Sequence, residues 1–394
     1  MDDRKKVLFV ISSYIQSGTS ANIRNISLLQ GLCENGYIVD VISREPDVEP
    51  GRCDESMVMP PVNRFIYVIK RVDTEQSETI HNESINARVK RIILPIAIKL
   101  FSIMSIWDTW YLKIKRLKRI ELTDDYDIMI SSSDPKSSHF FAQKIYEQNR
   151  SRIGRWIQYW GDPFALDINQ SGGSAFRVKC AEKKLLRYAD KVIYVSPFTL
   201  NKQRELYPMY ADKMHYLPIP VRAKQISDNQ KIDNSHLKIG YFGAYKKRDR
   251  DIIPLYEAVN QTNHHLEIVG PSDVILSSTE HVNVHEQVRM PVAYIEEREK
   301  ETDVLVCICN RSGTQIPGKA YHYAMTNKYV LIILDGEYAE EIRDFLSKYD
   351  RYVFCDNNEE SIISALNSID KRPSLRSPCA SFDPMNIAEE FIRL

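Results

Sequence analysis

An excess of charge of either sign is missing from this 394-residue chain, because Lys plus Arg number 53 and so do Asp plus Glu. With no net field to attract a polyanion, nucleic acid is not an expected partner. A Cys-x-x-Cys pair is missing as well. The seven cysteines are odd in number and scattered, and Cys307 and Cys309 sit inside an apolar run. They fit reduced core residues of a cytosolic protein, with neither a zinc site nor a disulfide framework. The apolar run around residue 99 is broken by Lys99, so it is not expected to span a bilayer. The start lacks the marks of a signal peptide: residues 7–11 are too few for its apolar region and no small-residue cleavage site follows, so they are expected to form the first strand. The loop after that strand has one glycine, Gly18, where the dinucleotide fingerprint needs three, which argues against a Rossmann dehydrogenase. Repeats of solenoid period are absent.

What is present is ordinary for a soluble globular protein, with 43% hydrophobic residues and a length that suits two domains. The most informative stretch is 303–336. Residues 304–309 and 329–334 are short unbroken apolar runs, the pattern of strands covered on both faces. Between them Pro317 and Gly318 open a helix whose first turn carries Lys319, and Asn327 stands where a left-handed closing residue is wanted. A βαβ unit in a parallel sheet follows, with N–H groups, an ammonium and hydroxyls at the carboxyl edge of the strands. A phosphate-bearing ligand fits there, although a solvated lysine in a first turn is equally common.

Taken in order, residues 5–13 read as a strand, 14–20 as a polar loop with Gly18, 21–35 as a helix and 37–43 as a strand. Residues 45–83, polar and proline-bearing, read as loop and irregular connection. The segment 88–119 is basic and aromatic, with Asp108 as its one counter-charge. Two readings stay open for it: a segment lying in a membrane interface, or amphipathic helices broken at Pro95 and packed on a core. A strand at 126–131 leads through Ser132, Ser133, Asp134 and Pro135 into a helix carrying His139. A strand at 156–160 ends in Gly161-Asp162-Pro163-Phe164. A helix at 183–190 and strands at 191–195 and 214–217 follow. Residues 221–237 are polar and lack apolar periodicity, which marks an interdomain linker. A new sheet opens at 238–242, closed by Gly243 and a loop with Lys246, Lys247, Arg248 and Arg250. A helix at 251–260, a strand at 266–269 closed by Gly270, a helix at 290–301, a strand at 352–355 and two further helices complete the pattern.

Gly240-Tyr241-Phe242-Gly243 with its basic loop, Val269-Gly270 and the run GTQIPGKAYHYAMTNKYVL at 313–331 resemble the nucleotide-binding half of a retaining family 4 glycosyltransferase. Gly18, Ser-Ser-Ser-Asp-Pro at 131–135 before the His139 helix, and Gly-Asp-Pro-Phe at 161–164 resemble the other half. The resemblance runs over nearly the whole chain and is most specific in its second half. It implies the GT-B fold, an α/β architecture of two Rossmann-like doubly wound parallel-sheet domains facing a cleft. The corresponding boundaries are an acceptor-side domain at 1–221, a linker at 222–237, a nucleotide-sugar-binding domain at 238–382 and a C-terminal helix at 383–394 able to return to the first domain.

The resemblance further implies transfer of a sugar, with retention, from a nucleotide-sugar to a glycan or lipid-linked acceptor in polysaccharide or cell-surface glycan synthesis. The expected place is the cytoplasm at the inner face of the cell membrane, with peripheral membrane contact through residues 88–119. No metal and no cofactor are expected, since side chains stabilise the departing diphosphate; Asp249-Arg250-Asp251 imitates a metal motif of another fold but stands before a helix. The implied donor-binding residues are Gly18, Gly243, Arg248, Arg250, Gly270, Thr314, Lys319 and His322, and the implied catalytic residues are His139 and Asp162. Many relatives carry glutamate at the positions of Thr314 and His322, near the donor sugar and the ribose hydroxyls. Their loss keeps two other readings in view: a nucleotide-sugar 2-epimerase, or a catalytically degenerate subunit that binds nucleotide or glycan for a partner.

Overall fold

The computed structural model describes residues 4–46, 54, 56–69, 105–168, 174–222, 232–233, 235–274, 276, 283–369 and 373–394. The chain divides into two compact units, one of residues 1–53, 59–217 and 394, the other of 54–58 and 218–393.

The first unit grows from β1 (Lys6–Val10), whose Val7, Leu8, Phe9 and Val10 are wholly buried. A strand apolar on both faces needs cover on both, and parallel crossover helices supply it. The elements are α1 (Ser20–Glu34), β2 (Ile38–Arg44), β3 (Arg64–Ile69), α2 (Trp110–Arg116), β4 (Tyr126–Ser132), α3 (Ser137–Gln148), β5 (Ile153–Trp160), α4 (Ala175–Leu186), β6 (Lys191–Tyr194), α5 (Pro197–Leu206) and β7 (Met214–Tyr216). The strands pair in parallel in the order β3-β2-β1-β4-β5-β6-β7. The order reverses between β1 and β4, which places a crevice at their carboxyl ends. Helix starts are set locally: Thr19 accepts from Asn22 N (3.3 Å), Ser174 from Arg177 N (3.3 Å) and Ser196 from Thr199 N (3.4 Å). Each such cap contributes about 1 kcal/mol.

The second unit has β8 (Lys238–Phe242), α6 (Ile253–Asn260), β9 (His265–Val269), β10 (Val284–Gln287), α7 (Val292–Glu301), β11 (Val304–Ile308), α8 (Gly318–Ala324), β12 (Tyr329–Leu334), α9 (Ala339–Ser347), β13 (Val353–Asp356), α10 (Glu359–Ser368) and α11 (Pro384–Arg393). Its parallel order is β10-β9-β8-β11-β12-β13, reversing between β8 and β11. Residues distant in sequence cap α7: Asp54 Oδ2 accepts from Val292 N (2.9 Å) and Ser56 Oγ from Ala293 N (3.3 Å). Phe382, just before α11, packs edge-on against Tyr321 (5.0 Å between centroids), and Val221 N donates to its carbonyl (2.8 Å).

Several sequence expectations are corrected. The stretch 45–83, read as loop and connection, contains the edge strand β3, and β10 was not foreseen at all. An edge strand has one partner and keeps water on its outer side: β3 is apolar from Phe65 to Ile69 but short and set in a polar, proline-bearing stretch, and β10 reads Val-His-Glu-Gln with no apolar run. The helix expected at 183–190 is α4, starting at Ala175 and ending at Leu186. Asn327 does not adopt a left-handed conformation: Asp350 is the one non-glycine residue with positive φ among the described residues, and α8 ends at Ala324. Of the basic segment 88–119, residues 88–104, including Pro95, lie outside the described residues. In its described part α2 buries Ile114 in the core, Trp107 stacks on Tyr111 (4.7 Å), and the Arg44 guanidinium lies 4.1 Å from the Trp110 ring centroid. No helix among the described residues is long and apolar enough to cross a membrane.

Candidate functional site

In the second unit the carboxyl ends of β8, β9 and β11 bring several of the expected donor-binding residues together. Gly270 makes the approach possible, since a Cβ there would stand 2.0 Å from the Gly243 carbonyl oxygen. The basic loop after Gly243 folds on itself, with Arg250 N donating to Lys246 O (2.7 Å). It is tied to the loop after β11 at three points. Arg250 Nε donates to Asn310 Oδ1 (2.7 Å), Arg311 N to Asp249 O (2.9 Å) and Arg311 Nη1 to Lys247 O (2.9 Å). Gly313 takes a positive φ of 86° in the turn that follows, a conformation open to glycine without steric cost.

Lys319 stands in the first turn of α8, with its Nζ 3.1 Å from Glu299 Oε1 and 5.2 Å from the Tyr323 ring centroid. Arg250 and Lys319 share one neighbourhood: burial raises the Cys307 thiol of β11 to about 11, and both cations act against that rise. Arg248 departs from the group, being 85% exposed with its Nε 3.7 Å from Asp249 Oδ1. Thr314 is buried on the loop after β11, and His322 is half-buried in the last turn of α8.

Sequence reasoning missed three residues here. Asn310 and Arg311 follow directly on a wholly buried strand, and that position was a usable signal. Glu299 gave none, because it lies in the charged run of α7 and only packing buries it.

In the first unit the corresponding strand ends hold a buried charged cluster. Arg24, on α1, donates to Ser133 O and to Ser132 Oγ (3.3 Å), and its guanidinium lies 4.7 Å from the Tyr159 ring centroid. It rests against Gly161, where a Cβ would come within 2.0 Å of Nη1. The turn after β4 contains cis peptide bonds at Ser133-Asp134 and Asp134-Pro135. Beside it Lys136 Nζ sits 2.7 Å from Asp134 Oδ1 and 2.6 Å from Asp167 Oδ2. Asp162 belongs to the same cluster. Burial, with added repulsion from Asp134, pushes its carboxyl up to about 6, against the pull of Lys136 and Arg24.

His139 is wholly enclosed: its Nδ1 is 2.8 Å from Ser131 Oγ, its ring is 3.9 Å from that of Trp160, and Nε2 has no hydrogen-bond partner. Burial, with Lys136 and Arg24 nearby, holds its pKa well below the ordinary value, so the imidazole is neutral at pH 7. The loop carrying Asp162 is pinned from below by the buried Glu182, which accepts from Phe164 N (2.8 Å) and Ala165 N (3.1 Å). Gly18 lies in the loop before α1, just ahead of the Thr19 cap. Arg24, Lys136 and Asp167 were not anticipated. Arg24 falls on the buried face of an amphipathic helix, where the periodicity points to apolar contacts.

No group of three or more His, Cys, Asp or Glu side chains is placed to hold a metal ion among the described residues. Asp251, half of the Asp249-Arg250-Asp251 run, is engaged by Arg311 Nη2 at 2.9 Å.

No family model matches the sequence, and no curated protein does. Solved structures do resemble it. A point mutant of S. aureus TarM in complex with fondaparinux, alpha-GlcNAc-glycerol and UDP is similar with a TM-score of 0.54 or better, namely 0.58, at 10% identity over 99% of this chain and 98% of that one. Sucrose-phosphate synthase from Thermosynechococcus elongatus gives 0.54 at 14% identity, covering 99% and 95%. A glycosyltransferase from Rickettsia africae gives 0.54 at 12% identity, covering 99% and 97%. At such identities the likeness speaks for the fold: two Rossmann-like parallel-sheet units, as in the GT-B glycosyltransferases.

Proposed function

We propose that this chain is a glycosyltransferase that moves a sugar, with retention, from a nucleotide-sugar to a glycan or lipid-linked acceptor at the inner face of the cell membrane. The observation that carries this reading is the joining of the basic loop to the loop after β11 through Arg250 and Asn310, with Lys319 beside the same strand. A departing nucleoside diphosphate gathers negative charge on its phosphate oxygens. Donors fixed in advance at that place stabilise it without reorganising during the reaction. Arg250 and Lys319 take that role, with Arg248 reaching in from solvent, and Gly243 and Gly270 keep the strand ends open to the phosphates. Thr314 and His322 face the donor's sugar and ribose, where a hydroxyl and an imidazole replace carboxylates as hydrogen-bonding groups. On the acceptor side Asp162 accepts a hydrogen bond from the incoming hydroxyl and orients it. For retention the hydroxyl attacks on the face that the diphosphate leaves and its proton passes to a departing phosphate oxygen, while the enclosed His139 keeps a positioning role at the same strand ends. Gly18 keeps the role that the resemblance implies for it, a position of the first loop without a Cβ. The charge is supplied by side chains and no metal is required.

The test has two steps. Thermal stabilisation is measured with UDP, GDP, ADP and their sugars, UDP first because the TarM complex contains it. A ligand at a hundred times its dissociation constant adds about 2.7 kcal/mol of stability. The stabilising donor is then incubated with membrane extract. Transfer to extract supports the reading, and turnover of donor alone to an epimer points to the 2-epimerase instead. Binding without transfer or hydrolysis identifies a degenerate subunit, the reading that the missing glutamates favour. Absence of stabilisation by every nucleotide removes the proposal.

A further inference from the structure

The cations on the loops after β8 and β11 differ in what balances them. Arg311 bridges Asp251 and Asp335 (2.9 and 3.0 Å). Arg250 is held by neutral acceptors, Asn310 Oδ1 at 2.7 Å and the Ala244 carbonyl at 3.5 Å. Lys319 is held by an acid, and the burial of that pair is lopsided: the Glu299 side chain is 3% exposed and that of Lys319 38%. The carboxylate therefore lies beneath the ammonium, sealed from water. Moving Lys319 away takes an ammonium off a buried carboxylate, which costs free energy even where other groups also bond that carboxylate.

We propose that Glu299 is a positioning and charge-balancing residue of the diphosphate site: it fixes the Lys319 ammonium beside the end of β11 and cancels its charge. Lys319 then offers hydrogen bonds to a nucleoside diphosphate, while Arg250 supplies the positive charge. A site built this way grips the diphosphate less tightly than two unopposed cations would, which favours release of the product. The inference rests on the reading that the second unit holds a nucleoside diphosphate.

Glu299→Gln isolates the charge, because the amide oxygen still accepts from Nζ. Dissociation constants for UDP, GDP and ADP, and for uridine, guanosine and adenosine, are measured by calorimetry at low and high salt. For whichever diphosphate binds the wild-type chain, Glu299→Gln is expected to tighten binding about threefold to thirtyfold at low salt, less at high salt. Affinity for the matching nucleoside is expected to stay unchanged, which a purely structural role of Glu299 would not produce. Lys319→Ala, which leaves the ligand facing a buried carboxylate without its ammonium, is expected to bind more than tenfold more weakly, and adding Glu299→Gln to it restores part of the loss. Unchanged or weaker diphosphate binding in folded Glu299→Gln overturns the proposal. Should that variant not fold, Lys319→Met is compared with Lys319→Met/Glu299→Met: tighter binding by the double variant supports the proposal and equal binding overturns it. If none of the three diphosphates binds the wild type, the reading of the site falls and this inference falls with it.

Discussion

The carbonyl oxygen of Gly243 would lie 2.0 Å from a Cβ placed on Gly270, so the ends of β8 and β9 meet at a distance that only a hydrogen atom allows. Gly270→Ala sets a methyl group against backbone, which has no rotamer to escape into. It is expected to cost about 2 kcal/mol or more, or roughly 4–8 °C in melting temperature. Gly243→Ala is the control, since its Cβ would meet the Tyr241 hydroxyl at an ordinary 3.7 Å. That variant should melt within a degree or two of wild type; equal losses in the two variants would contradict the argument.

Asp162 makes stability depend on pH. Its carboxyl is raised from 3.8 to about 6, first by burial and then by Asp134. Between pH 4 and 6 the folded protein holds a proton that the unfolded chain has released, so ionisation of Asp162 works against folding and does so fully above pH 6. Asp162→Asn cannot ionise. It is expected to exceed wild type by about 1–3 kcal/mol at pH 7.5 and to match it at pH 4. His139 acts in the other direction: its depressed pKa means that stability is lost as pH falls below 6.5, in wild type and variant alike. Urea midpoints from pH 4 to 8 check this, and parallel curves would refute it. On the proposed acceptor role, transfer activity rises through pH about 6 and Asp162→Asn lacks that rise.

Glu182 holds the loop after β5 with both oxygens, adding Tyr207 Oη (2.8 Å) and Gln203 Nε2 (3.3 Å) to the two loop N–H groups. Glu182→Ala leaves these buried donors without an acceptor and is expected to cost about 3 kcal/mol or more. Glu182→Gln keeps one acceptor oxygen, so its loss should be intermediate. A melting series in which Gln equals Glu would show that the second oxygen contributes nothing.

Arg351 is 1% exposed and gathers carbonyls around the end of α8: Ala324 (3.0 Å), Tyr323 (3.2 Å), Thr326 (2.7 Å), Lys328 (2.7 Å) and Leu375. Burial without an acidic partner lowers its pKa to about 10. Lysine places three donors on one point and cannot span that ring of acceptors. Arg351→Lys is expected to lose about 3 kcal/mol or more in denaturant unfolding. A loss under 1 kcal/mol would mean that the carbonyls find other donors.

Strands buried on both faces were legible. Residues 238–242 and 329–334 match β8 and β12 residue for residue, because continuous apolar runs have few other uses in a soluble chain. The edge strands β3 and β10 were not: the apolar run of β3 is short and set in a polar, proline-bearing stretch, and β10 is Val-His-Glu-Gln, half of it exposed. Arg250 and Lys319 were legible as candidates because each follows a buried strand, where loops of a parallel sheet collect ligands. Glu299 and Arg24 were not, because charged residues on helices are solvated far more often than buried.

By itself the sequence determined what depends on near neighbours: the apolar runs that become covered strands, the Pro317-Gly318 start of α8, the Thr19, Ser174 and Ser196 caps, and the polar turns at strand ends. Only the tertiary structure decided which turns meet and which charges are cancelled. Arg250 reaches Asn310 across 60 positions, and Lys319 rests on an acid 20 positions earlier on another helix. The reason is physical. Secondary structure follows from periodicity and backbone preference over a few residues, whereas the burial and net charge of a side chain are set by whatever the strand order places beside it.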